Sequence, residues 1–201
     1  DINTCMSNLF QKLEFEAFRA GINPRTKEAQ DWFRKKAQSM RRINRQDLLQ
    51  DEQVKLVNRQ NPLIGSMNMF FYDPKHKETL PYYDRFPLAI IVKPAPGGFY
   101  GLNLHYLPNV LRAKFLDALL EITNNNKYDE STRFGVTLKL LQSSSKMRFF
   151  KPCYKHYLTR HVKSRLARVM APEWEIATFL PTAQFEKANK GAVYADSRKA
   201  I

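Results

Sequence analysis

The sequence is poor in the features that usually announce a site. It has two cysteines, Cys5 and Cys153, far apart and without a paired spacing, so it carries no disulfide framework and fits a reducing compartment. No apolar run approaches the roughly 20 residues that cross a bilayer, and no secretory hydrophobic segment opens the chain. Repeats and low-complexity tracts are absent. The four histidines, His76, His105, His156 and His161, stand in no HExxH or similar ligand spacing, and neither cysteine has a CxxC partner, so no metal or other cofactor is expected. There is no Walker loop and no GxSxG elbow. Cys153 and His156 lack the orienting third group that a nucleophile and its base require. Asp73 and Asp84 flank a charged loop and are the acids a metal-dependent nuclease could use, but Asp73 precedes Pro74 and reads as a turn residue. The expectation is a protein that is not an enzyme and takes no small-molecule substrate.

Acid is scarce as well. There are 19 Asp and Glu against 33 Lys and Arg, a formal net charge of +14, which draws the chain toward a polyanion: nucleic acid, an anionic membrane or an acidic protein surface. Hydrophobic residues make up 43% of the chain, enough for a packed core. The densest part is Asn68–Leu120. Met69–Tyr72 reads as a short aromatic strand, Leu88–Val92 as a buried strand between prolines, Pro96-Gly97-Gly98 as a turn and Phe99–Tyr106 as a second strand. Tyr100, Leu102, Leu104 and Tyr106 share one face of that strand; Phe99 and Asn103 share the other. Pro108 opens a helix over Asn109–Ile122, with Val110, Leu111, Phe115, Ala118, Leu119 and Ile122 at helical spacing. The fold class expected is α+β: a small antiparallel sheet, SH3-like if it closes into a barrel, flanked by N- and C-terminal helices. Residues 1–65 read as an N-terminal arm with basic helices and 66–122 as the β-rich core with its helix. Residues 123–201 read as a basic C-terminal region packing on that core, the whole forming one domain.

Along the chain, Leu9, Phe10, Leu13 and Phe15 line a short helix or docking arm, and Asn23-Pro24 fits a helix start. The helix expected from Arg25 to about Arg45 buries Trp32, Phe33, Ala37, Met40 and Ile43 and turns Arg34, Lys35, Lys36, Arg41, Arg42 and Arg45 elsewhere. A second helix is expected over Asp47–Asn58. The loop Asp73–Tyr83 carries Lys75, His76 and Lys77 at its tip, where contacts are often made. Its neighbouring tyrosines and phenylalanines read as core or interface more than as base-stacking platforms. Thr123–Thr132 is a loop, and residues 134–140 alternate as in a strand, although Leu141 breaks the alternation and leaves a helix open. The stretch KMRFFKPCYKHYLTRHVKSRLAR, Lys146–Arg168, interleaves cations with aromatics and has almost no acid. Its Lys146, Arg148, Lys151, Lys155, Arg160, Lys163 and Arg165 are the best candidates for a polyanion contact, on a helix if one runs from Pro152. A helix start at Pro172-Glu173-Trp174-Glu175, a break at Leu180-Pro181-Thr182 and a last helix capped by Thr182 and running to about Ala200 complete the chain.

Two blocks, LPYYDRFPLAIIVKPAPGGFYGLNLHYLP (residues 80–108) and WEIATFLPTAQFEKANKGAVYADSRKAI (residues 174–201), resemble small virion proteins of T4-like tailed bacteriophages, of the DNA end protector or structural type. The resemblance covers about a quarter of the chain and brings no catalytic motif. It implies a non-enzymatic virion protein, assembled in the host cytoplasm. Its basic segments would hold DNA ends or backbone without reading sequence, or would meet other virion subunits of the neck, tail or baseplate; no membrane is involved.

Overall fold

The aliphatic run Leu88–Val92 is unbroken because its strand is covered on both faces. The computed structural model describes residues 9–24, 26–49, 64–123, 139, 146–170 and 173–201. Five strands, β1 (Met67–Met69), β3 (Leu88–Ala95), β4 (Gly98–Asn103), β5 (Tyr154–Leu158) and β6 (Ala167–Val169), form an antiparallel sheet in the order β5-β4-β3-β1-β6. Leu88, Ile90 and Leu102 point into the larger core cluster, and Ala89, Ile91 and Phe99 into a smaller one with Phe70, Tyr72 and Tyr157. A two-stranded ribbon joins β2 (Tyr83–Asp84) to β7 (Phe185–Glu186).

Six α-helices surround the sheet among the described residues: α1 (Leu9–Arg19), α2 (Lys27–Ser39), α3 (Arg45–Leu49), α4 (Asn109–Thr123), α5 (Trp174–Phe179) and α6 (Lys190–Ala200). Phe10 and Leu13 of α1, Ala37 of α2, Phe115 and Leu119 of α4, and Ile176 and Phe179 of α5 all enter the larger cluster. The α+β class is therefore what the pattern implied, with one correction. The sheet is open, with β5 and β6 as its edges among the described residues, so there is no closed SH3-like barrel.

Other boundaries moved for physical reasons. The helix expected from Arg25 to Arg45 ends at Ser39; Met40 is extended at ψ 127°, and Arg41–Asn44 form an irregular bridge to α3. Its N-cap is Thr26, whose Oγ1 accepts from the Ala29 N–H at 3.1 Å, and not Asn23. The first aromatic strand lies at Met67–Met69, and Tyr72 keeps only an isolated bridge to Val162. β4 stops at Asn103, where Leu104–Tyr106 turn as a 3₁₀ helix. In α4 the exposed Val110 and Ala118 leave the stripe, and Arg112 and Leu116 occupy it. Phe15 of α1 also points outward.

The helix considered from Pro152 is instead strand β5. Alternating residues there seat Tyr157 against Phe70 and Phe99, and edge pairing with β4 outweighs the helical option. Thr182 does not cap the last helix; Asn189 does, accepting from Ala192 N–H at 2.8 Å. The helix expected beyond Leu49, the loop at 124–132 and the arm before Leu9 lie outside the described residues; so does the stretch 134–140 except Lys139, which is helical and not extended.

β3 and β4 join through Pro96-Gly97, proline presetting φ and Gly97 at φ +72°. The next residue, Gly98, has no room for a side chain: a Cβ there would lie 1.9 Å from the Tyr157 carbonyl oxygen. Gly98→Ala must push β5 away from β4, and we expect it to cost about 2 kcal/mol or more in urea unfolding. An unchanged unfolding midpoint would contradict this approach of the two strands.

Candidate nucleic-acid interface

The candidate cations do not behave as one set, because burial divides them. Arg34 is matched inside the protein. Its Nε donates to Glu175 Oε2 at 2.6 Å, and its Nη2 donates to Glu175 Oε1 at 3.0 Å and Asp117 Oδ1 at 2.8 Å. Burial works against its charge, but the two carboxylates outweigh burial and raise its pKa above the usual guanidinium value. Its guanidinium also lies over the Phe179 ring at 5.2 Å, so it ties α2 to α5. Arg45 donates to the carbonyls of Thr182 at 2.8 Å and Ala183 at 3.2 Å, and Arg165 donates to the Leu49 carbonyl. Lys36 pairs with Glu16 at 3.2 Å and lies over Trp32. These side chains brace elements against one another.

A second group stays in solvent. Lys35, Arg41, Arg42, Lys146, Lys151, Arg160 and Lys163 are exposed and form no ion pair among the described residues. Arg148, also exposed, donates to the Ala200 carbonyl at 3.3 Å. Arg41, Arg42 and Arg45 line one shallow cleft of about 450 Å³ with Pro181. The structure thus brings part of the first basic segment beside the C-terminal chain.

Lys155 belongs to neither group. It stands with the loop Asp73–Tyr83 around a half-enclosed cavity of about 460 Å³. Five tyrosines line it: Tyr72, Tyr82, Tyr83, Tyr106 and Tyr157. The Lys155 ammonium sits 4.0 Å from the centre of the Tyr106 ring, and burial holds its pKa below the usual lysine value. Lys75, His76 and His156 are the exposed basic members of the lining. His156 bonds the Pro96 carbonyl through Nε2 at 2.8 Å, far from any role with Cys153, whose thiol burial pushes up to about 12.

The wall of this cavity is fixed by groups that no motif announced. Asp84 is buried, and its carboxylate accepts four hydrogen bonds: Oδ1 from the Phe86 and Gln184 N–H groups at 3.0 Å each, Oδ2 from Asn103 Nδ2 at 3.0 Å and His105 Nδ1 at 2.7 Å. His105 Nε2 faces Thr182 Oγ1 at 3.1 Å. The order Asp–His–Thr imitates a nucleophile with its base, but all three are buried, and every acceptor position of Asp84 is occupied. The metal role open to Asp84 in the sequence is therefore closed, while Asp73 pairs with Lys77 at 3.0 Å across its turn. Lys187 completes the frame: its ammonium donates to the carbonyls of Lys77, Glu78 and Leu80, the last two at 3.1 and 3.0 Å. Arg112, buried on α4, donates to the carbonyls of Leu107, Thr178 and His105 and to the Tyr194 hydroxyl. Its place at i−3 and i−4 from Phe115 and Leu116 was the one signal of its burial in the sequence.

Burial holds His105 below its ordinary value of 6.5, partly offset by Asp84. Burial would raise Asp84 above its ordinary 3.8, but His105 and the other donors outweigh it and leave Asp84 below that value. In both cases the unfolded chain takes up the proton first, so folding stability is lost as pH falls. We expect the melting temperature to hold from pH 8 to 7, to fall below about pH 6.5 through His105, and to fall again below about pH 4 through Asp84. His105→Gln should melt lower at pH 7 but lose the first of these steps; an equally steep step in that variant would place the linkage elsewhere.

The chain matches the family model described as phage T4 terminal DNA protecting protein over residues 10–199. No curated protein and no solved structure is found to match it. The match spans both halves of the sheet, the Asp84 network and the solvent-facing cations. The chain belongs to the phage T4 terminal DNA protecting protein family.

Proposed function

We propose that this chain is a non-enzymatic virion protein that binds DNA at its ends, holding the backbone through the exposed cations and making or breaking no bond. The observation that carries this reading is the division of charge. Arg41, Arg42, Lys151 and Arg160 remain in solvent and form no ion pair with a carboxylate among the described residues, in a family whose description is terminal DNA protection. Phosphates neutralised by such side chains release counterions, which supplies affinity without sequence readout.

The test is the salt dependence of binding to a linear duplex. A protein that neutralises six to ten phosphates loses roughly 10³ to 10⁵ in affinity between 50 and 200 mM salt. The double variant Arg41→Gln/Arg42→Gln should lower the slope of log K against log salt by about 2, since each phosphate contact contributes about 1. Its melting temperature should be unchanged, because neither side chain has an ion-pair partner among the described residues. Salt-insensitive binding would overturn the reading, and so would cleavage of the duplex in Mg²⁺ that disappears in Asp73→Ala.

A second reading, contact with another virion protein of the neck or tail, has one observation in its favour. Phe15 and Phe18, three residues apart on α1, are 60% and 78% exposed. If this face docks on a virion subunit, Phe15→Ser/Phe18→Ser will leave the salt-dependent DNA affinity intact while removing the protein from purified particles.

A further inference from the structure

The tyrosine-lined cavity does something that exposed arginines cannot: it distinguishes a free end from the middle of a duplex. We propose that it receives the unpaired terminal nucleotide of a DNA strand, with the base against the Tyr83 ring and the phosphate on the Lys155 ammonium. This rests on the DNA-binding reading above and adds to it the feature of DNA that is recognised.

Size is the first argument. About 460 Å³ lies within the range of small-ligand pockets and accommodates one nucleotide. A duplex with its bases paired and stacked cannot enter. A nucleotide must leave the stack to do so, and that is least costly where it is already unpaired, as at an end.

The chemistry of the lining is the second. Tyr83 lines the cavity and meets no other aromatic ring among the described residues, so no ring competes with a base for it. The Lys155 ammonium has no hydrogen-bond acceptor and no ion-pair partner among the described residues, only the Tyr106 ring beneath it. A phosphate would supply what that group lacks. Asp84 is the one acid in the lining, and its four hydrogen bonds leave no acceptor to compete for the lysine. Rigidity is the third argument. Tyr72 is held by the Leu158 N–H at 2.9 Å, and Lys187 clamps the facing loop. A nucleotide would therefore enter a site already formed.

The experiment compares a linear duplex bearing short single-stranded ends with a relaxed covalently closed circle of the same sequence. The wild-type protein should bind the linear form at least about tenfold more tightly, the effect of one stacked base. In Tyr83→Ala and in Lys155→Met that ratio should fall to near one. Photocrosslinking gives a readout free of substitution: 5-iododeoxyuridine at the terminal position should label the peptide containing Tyr82 and Tyr83, and at an internal position should not. An undiminished ratio in both variants, or a terminal label found outside the cavity, would overturn the inference. If the wild-type protein binds circle and linear DNA equally, the pocket inference and the preference for ends fail while backbone binding through the exposed cations stands; if it binds neither, all fail.

Discussion

One buried carboxylate organises this molecule. Asp84 sits on a two-residue strand, too short to hold its place by ladder hydrogen bonds alone. It draws together its own turn through Phe86, the end of β4 through Asn103, the 3₁₀ turn through His105 and the C-terminal chain through Gln184. An ionised carboxylate in such a position would be costly if any lone pair were left unfilled. Here all are filled, so the charge becomes a cross-link between segments about 20 and 100 residues apart. Tyr83 precedes it and Tyr106 follows His105, so the aromatic cavity inherits its shape from that node.

The same economy governs the arginines. A strongly basic chain must fold against its own repulsion, and this one does so by giving some cations internal work. Arg34 takes two carboxylates, Arg112 three carbonyls and a hydroxyl, and Arg45 two carbonyls of the C-terminal segment. Their planar, multi-donor heads suit that task better than lysine would. Of the candidate cations left in solvent, Lys35 stands on α2, Arg41 and Arg42 on the bridge after it, and the others on the segments around β5.

Much of this was legible beforehand where a local pattern and the tertiary environment agree. Leu88–Val92 looked like a buried strand and is one; Pro96-Gly97 looked like a turn and is one; Pro108 opens α4. The pattern misled where the two conflict. Tyr154–Leu158 has a spacing compatible with either helix or strand, and only the open edge of β4 decides it. Arg34 and Lys35 are neighbours with the same charge, yet one is locked to Glu175, 141 residues away, and the other is solvated; no local rule separates them. The Asp84 network was invisible for the same reason, since its donors come from three distant places. Lys155 could be named as a candidate cation, but its placement among tyrosines depends on the loop Asp73–Tyr83 folding across from it.

Lys187 carries a further consequence. It is the one non-glycine residue with positive φ among the described residues, at 69°, a region in which a side chain is at a disadvantage. Glycine would suit that backbone and asparagine would tolerate it, but neither can span the gap to the carbonyls of Glu78 and Leu80. The position therefore answers two incompatible demands, a corner that prefers no Cβ and a distant loop that needs a long cationic arm. Random replacement there should find no substitute that satisfies both, so tolerance to mutation at 187 should be narrow even though its side chain lies at the surface.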